Sequence, residues 1–299
     1  MPPADSTEIA LSVIVVILGG GAHVPRCLEA LRRQENAPAM EVIVPHDDRR
    51  GEIASLRENF SEVDFVHVPG ERSYAELRTA GAKASRGRIV AITEDQCIPP
   101  PRWCANIIEA HRAPHAAIGG PVDKQTPDSP LNWAIYLREL GTFMPPMAEG
   151  PAHALTDCNV TYKRPALEAI AGVWAHGFHE PEVHAALAKY GESAALWLSP
   201  ALLTMQQRTL QLGPALAERY AFGRLYGGLR VAAVAPGKRI ALIFLSPLLP
   251  FLLVARVVLG VLRKRRHIGA CLAALPYITL FAIVWGWGEF VGYVTGRTE

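Results

Sequence analysis

The sequence predicts an α/β domain, a mostly parallel sheet with helices on both faces, followed by a C-terminal α-helical membrane region. Two observations carry this reading. From Leu11 to about Trp197, short apolar runs alternate with amphipathic stretches, the order that builds parallel sheets. After Pro200 two stretches reach the ~20 apolar residues that a bilayer-spanning helix requires. Half of the 299 residues are hydrophobic, high for a purely soluble enzyme.

The elements follow in order. "LSVIVVIL" reads as the first strand; Asp5 and Glu8 precede it where a signal peptide would carry basic residues. Gly19, Gly20 and Gly21 come next, placed to let backbone approach a nucleotide or simply to make a tight turn; Val24 stands where GxGxxG needs its third glycine. "VPRCLEALRRQ" has Val24, Cys27, Leu28 and Leu31 at helical spacing. "MEVIVP" is a strand, "IASLREN" a helix, "VDFVHVP" a strand, "SYAELRTAGAKAS" a helix and "GRIVAIT" the fourth strand.

In such sheets ligands lie beyond the carboxyl ends of the strands. Asp47 and Asp48 follow the second strand; Glu94, Asp95 and Gln96 follow the fourth. Alone, Asp47-Asp48 reads as a solvated turn. In "GFHEPEVHAALAKYG", His179 and His184 are one residue too far apart for HExxH, and Pro181 intervenes, so the zinc-protease motif is rejected. Glu180 then leads an amphipathic helix (Val183, Leu187, Tyr190), where by itself it reads as an acid facing the helix dipole.

"RTLQLGPALAERYAFGRLYGGLR" sets Arg208, Arg219, Arg224 and Arg230 among Leu, Phe and Tyr, the pattern of a helix at a membrane surface or of a solvated helix packed on the domain. Ile240–Leu262 and Ile268–Val294 are the two membrane segments, with Trp285, Trp287 and Tyr293 suited to an interfacial belt. Two full crossings would put Arg263, Lys264, Arg265 and Arg266 on the far side, against the positive-inside tendency. Arg256, Pro247 and Pro250 also interrupt the first segment, so a re-entrant path stays open beside a double crossing. Expected boundaries are 1–205 for the α/β domain, 206–238 for the interfacial segment and 239–299 for the membrane region.

Cys27, Cys97, Cys104, Cys158 and Cys271 form no CxxC pair, which speaks against a disulfide framework or zinc knuckle and for reduced cytosolic thiols. A net charge of +2 is too small to indicate nucleic acid as partner.

Taken together, the motifs resemble family 2 glycosyltransferases, nucleotide-sugar-dependent enzymes of the GT-A fold, over roughly Leu11 to Pro200. "EVIVPHDD" is similar to the family's "EVIVVDD", "LRTAGAKASRGRIVAI" to "ARNxGixxARGexxxF" and "TEDQCIPPPRW" to "DDDCxPxxxW"; "DCNVTYKRPAL" follows. Counting back from Gly191, Glu180 falls on the catalytic Asp of the "ED" pair and His179 on its Glu. The resemblance implies Glu180 as base, Asp47 or Asp48 on the nucleoside, Arg78 facing the phosphates, and Glu94 with Asp95 on nucleotide and metal, Mg²⁺ or Mn²⁺. It departs at Gln96, which occupies the usual ligand position and is a poor partner for those hard cations. Thr79 replaces the usual Asn, and "LLTMQQRT" lacks the histidine many relatives supply. If Gln96 prevents metal binding, Arg78 or Lys83 would carry more of the leaving-group charge. The expected acceptor is a lipid or lipid-linked glycan, reached from the cytoplasmic face of the membrane. Two other readings stand beside this one: a membrane-anchored pseudoenzyme that binds a nucleotide sugar or partner without catalysis, and a scaffold.

Overall fold

The structure is a computed structural model describing residues 8–18, 21–49, 53–126, 128–189, 195–232 and 234–297. Asp5, Gly19, Gly20, Tyr190 and Gly191, used in the reading above, lie outside the described residues. The chain divides into two compact units, Met1–Asp123 with Phe143–Gln207, and Lys124–Thr142 with Arg208–Glu299.

The first unit opens with β1 Leu11–Val16, α1 Val24–Arg32, β2 Met40–His46, α2 Ile53–Asn59, β3 Asp64–His67, α3 Tyr74–Ala84 and β4 Ile89–Glu94. These match the alternation predicted from sequence. β1 pairs in parallel with both β2 and β4, and β2 with β3, so four carboxyl ends lie on one side. β1 is buried throughout because it is central: Leu11, Val13 and Val15 join the core under α1, while Ile14 and Val16 join the opposite core. Each such side chain contributes roughly 1.5–3 kcal/mol by leaving water. The one polar residue of β1, Ser12, is satisfied: its hydroxyl donates to Glu41 Oε1 at 2.6 Å and accepts from the Gly87 N–H at 2.7 Å.

The rest of this unit comprises β5 Cys97–Ile98, α4 Trp103–Ala110, β6 Ala117–Gly119, β7 Val122–Lys124, then, after the α5 segment of the second unit (Pro130–Glu139), β8 Gly150–Pro151, β9 Asn159–Lys163, α6 Arg164–Ala169, α7 Ala171–Trp174, α8 Glu180–Leu187, β10 Leu196–Leu198 and β11 Thr204–Gln206. The main sheet runs β3-β2-β1-β4-β9-β6-β10-β8. Its second half is mixed, because β9 is antiparallel to both β4 and β6. A small sheet, β5-β11-β7, sits apart from it.

The second unit holds α5 with α9 Leu212–Ala232, α10 Pro236–Leu245, α11 Leu249–Lys264 and α12 Ile268–Thr295. Two helical stretches, Gly237–Lys264 and Ile268–Thr295, are long and apolar enough to cross a membrane by length and composition. The first is interrupted by a 3₁₀ turn at Ser246–Leu248, where Pro247 and Pro250 withhold backbone donors. α9 and α12 approach closely through Gly223 and Gly227 on one helix and Gly288 and Gly292 on the other. A methyl group at Gly223 would run into the Trp285 carbonyl, and one at Gly288 into that of Tyr220.

Candidate active site

The carboxyl ends of β2 and β4, the second turn of α3 and the first turn of α8 supply the predicted residues. Asp47, 1% exposed, is locked at the end of β2: its carboxylate accepts from Arg49 Nε at 2.7 Å and from the Arg72 N–H at 2.9 Å. Burial pulls its pKa upward, but those bonds outweigh burial and bring it to about 2. Asp48 is exposed and pairs with His67 Nε2 at 2.7 Å and the Gly70 N–H at 2.7 Å.

Arg78 is the hub. It stands in the second turn of α3, whose start is fixed by a capping box between Ser73 and Glu76. Its Nη2 lies 3.3 Å from Glu94 Oε1 and 3.1 Å from Asp157 Oδ2, and its Nε faces Glu180 Oε1 at 2.9 Å as an ion pair. Glu180 reaches it because Phe178, fully buried, anchors the turn before α8 and donates its N–H to the Ala75 carbonyl at 3.0 Å. Burial raises the Glu180 pKa above its ordinary value; Arg78 opposes this and Asp157 adds to it. Lys83 lies at the far end of α3, donating to the Ala175 carbonyl at 2.8 Å.

Asp95 is fully buried, and its Oδ1 accepts the Leu18 N–H at 2.8 Å, tying the end of β1 to the end of β4. Gln96 is 8% exposed, and its carbonyl accepts the Gln207 N–H at 2.7 Å. Trp103 of "CIPPPRW" donates Nε1 to Asn159 Oδ1 at 3.1 Å, locking that segment to β9. His184 is a core residue, its Nε2 3.0 Å from the Tyr162 hydroxyl.

Asp157 went unassigned in the sequence. Its only signal was a place in "DCNVTYKRPAL"; the register Thr93↔Asn159 between antiparallel β4 and β9 brings it beside Glu94. The same pairing sets Glu94, Cys97 and Cys158 with ligand atoms within 4.8 Å of one another. One carboxylate and two thiols form a softer donor set than Mg²⁺ or Mn²⁺ prefer, and the Cys158 thiol is held up by its hydrogen bond with Cys97 and by burial. The carboxylates around Arg78 are the better match to a hard cation. Glu94, Asp157 and Glu180 set three negative charges against one guanidinium, which stands between Glu94 and Asp157 as a cation already bridging two carboxylates.

The family model described as Glycosyl transferase family 2 matches residues 12–171. The chain belongs to that family. It is accordingly a glycosyltransferase that uses a nucleotide-sugar donor. Among solved structures its fold is similar to a mannosyltransferase from Pyrobaculum calidifontis in complex with GDP-Man and Mn²⁺, at TM-score 0.50 and 15% identity, covering 97% of this chain and 86% of that one. A mycobacterial protein is similar at TM-score 0.50 and 13% identity, covering 73% and 74%. No curated protein matches. These likenesses agree with the GT-A fold expected from sequence.

Proposed function

We propose that this glycosyltransferase moves one sugar from a nucleotide diphosphate-sugar to the hydroxyl of a lipid or lipid-linked acceptor, by inverting displacement at the cytoplasmic face of a membrane. The observation that carries it is Glu180 beside Arg78 at the carboxyl end of the parallel strands. The acceptor oxygen forms its bond to the anomeric carbon as the bond to the diphosphate breaks. Glu180 takes the acceptor proton, and the electron pair of the broken bond leaves with the diphosphate. Its raised pKa suits a base, and such a group contributes a factor of about 10²–10⁴ in rate. Of Asp47 and Asp48, the exposed Asp48 meets the nucleoside and the buried Asp47 holds Arg49 and the Arg72 backbone beside it, while Arg78 and Glu94 face the diphosphate, with Asp95 securing the strand ends.

Glu94 and Asp157 would hold a divalent cation, with Asp95, whose Oδ1 takes the Leu18 N–H, fixing the strand end that carries Glu94; such a cation would neutralise charge on the leaving diphosphate. Support for the cation comes from the surplus of carboxylates and from the Mn²⁺ complex of the similar mannosyltransferase. Support for a membrane-borne acceptor comes from the apolar helices at 237–264 and 268–295.

A second reading, a pseudoenzyme that binds the donor without transfer, draws on Gln96 at the usual ligand position and on Pro181 in the first turn of α8. One experiment separates the two. Detergent-extracted full chain is given UDP-, GDP- and dTDP-sugars with lipid extract, and products are read by mass spectrometry. Transfer should appear with one donor class and fall about 10²–10⁴-fold in Glu180→Gln while donor binding persists. Binding without turnover in the wild type selects the pseudoenzyme, and undiminished turnover in Glu180→Gln removes Glu180 from the mechanism.

A further inference from the structure

Among the described residues, the helical unit contains a guanidinium without a matching anion. Arg138, near the end of α5, has its Nη1 buried with no hydrogen-bond acceptor among the described residues. Its guanidinium lies 5.8 Å from the Trp285 ring centroid, at the outer limit of a cation–π contact. Arg219 of α9, 7% exposed, also has a buried Nε without an acceptor among the described residues. Its Nη1 takes Glu139 Oε1 at 2.7 Å and its Nη2 takes Glu218 Oε2 at 3.2 Å. Arg208 draws on the same two acids, Glu139 Oε2 at 2.9 Å and Glu218 Oε2 at 3.6 Å.

Three guanidinium charges therefore face two carboxylates, and both carboxylates are already shared by Arg208 and Arg219. Burial lowers the Arg138 pKa to about 10, the neighbouring Arg219 adds to the fall, and Glu139 offsets only part of it. Leaving a partly buried charge uncompensated is costly, so an anion from outside would complete the arrangement.

We propose that Arg138, with Arg219 and Arg208, forms a binding site for a phosphate-type anion, a phosphomonoester or a diphosphate. The planar guanidinium offers paired N–H donors that match phosphate oxygens, and Arg138 still has one to give. These residues share a unit with both long apolar helices, which favours a phosphate carried on a lipid over a free one. As a statement about the acceptor, this rests on the proposed transfer to a lipid-linked acceptor; as an anion site it stands without that reading.

The test uses full-length protein in neutral detergent. Binding of pyrophosphate and of dodecyl phosphate is measured by calorimetry, and thermal unfolding is followed with and without each. Wild type should bind at least one of them, and Arg138→Met should weaken that binding about tenfold or more, the loss of one charge-assisted hydrogen bond. In anion-free buffer Arg138→Met should unfold at the same or a higher temperature, because it removes an unmatched charge. Arg138-dependent binding of dodecyl phosphate supports a lipid-borne anion, and of pyrophosphate alone a free one. Affinities that agree within about twofold between the two proteins overturn the site, as does a lower unfolding temperature of Arg138→Met in anion-free buffer. Failure of the wild type to bind any nucleotide sugar would sink the transferase reading and leave this measurement standing.

Discussion

Glu180, the proposed base, sits between opposing influences: burial and Asp157 raise its pKa, and Arg78 lowers it. The net direction is upward from 4.5. A base works only when ionised, so transfer is lost as pH falls through that raised value. The acid limb of kcat/KM should therefore lie above pH 4.5. In Asp157→Asn a like charge is gone, and the limb should move to lower pH; a limb that stays in place would remove Asp157 from the electrostatics of the base. Sequence alone placed Glu180 by its distance from Gly191, and Asp47, Asp48, Glu94 and Asp95 by their position after strands. It left out Asp157, whose nearness to Arg78 comes from a strand pairing rather than from any local pattern.

At the scale of elements, the strands and helices from Leu11 to Glu94 were legible because each is long enough to show its period. The second half of the sheet was not. Strands of three residues such as Ala117–Gly119 and Leu196–Leu198 carry no alternation to read, and their existence depends on neighbours. α9 illustrates another limit. Its arginines left a membrane-surface helix and a solvated helix packed on the domain both open, and nothing in its sequence pattern pointed to the glycines at 223 and 227, which lie against α12 at backbone contact. Gly288→Ala should accordingly destabilise the protein in detergent by about 1–3 kcal/mol, since the added methyl meets the Tyr220 carbonyl. Gly260→Ala in α11 meets nothing within 4 Å among the described residues and should be neutral, or stabilising by up to ~1 kcal/mol. Thermal unfolding of both variants checks the contrast, and equal shifts would deny that the α9–α12 approach matters.

For the molecule as a whole, charge governs the proposed donor site. Three carboxylates around one guanidinium leave a formal surplus of two negative charges, from three minus one, before a diphosphate enters. Donor affinity should thus rise about tenfold or more when Mn²⁺ replaces a chelator. Equal affinity in the two conditions would mean that Arg78 meets the diphosphate unaided. The sequence by itself determined the α/β alternation, the family, the two apolar helices and the acids at strand ends, because these are written in local period, order and spacing. Tertiary structure alone decided that Arg78 gathers Glu94, Asp157 and Glu180, that Asp95 is a buried tie, and that Arg138 lies near Arg219. Those relations join residues tens of positions apart, and only strand pairing and helix packing bring such residues within reach of one another.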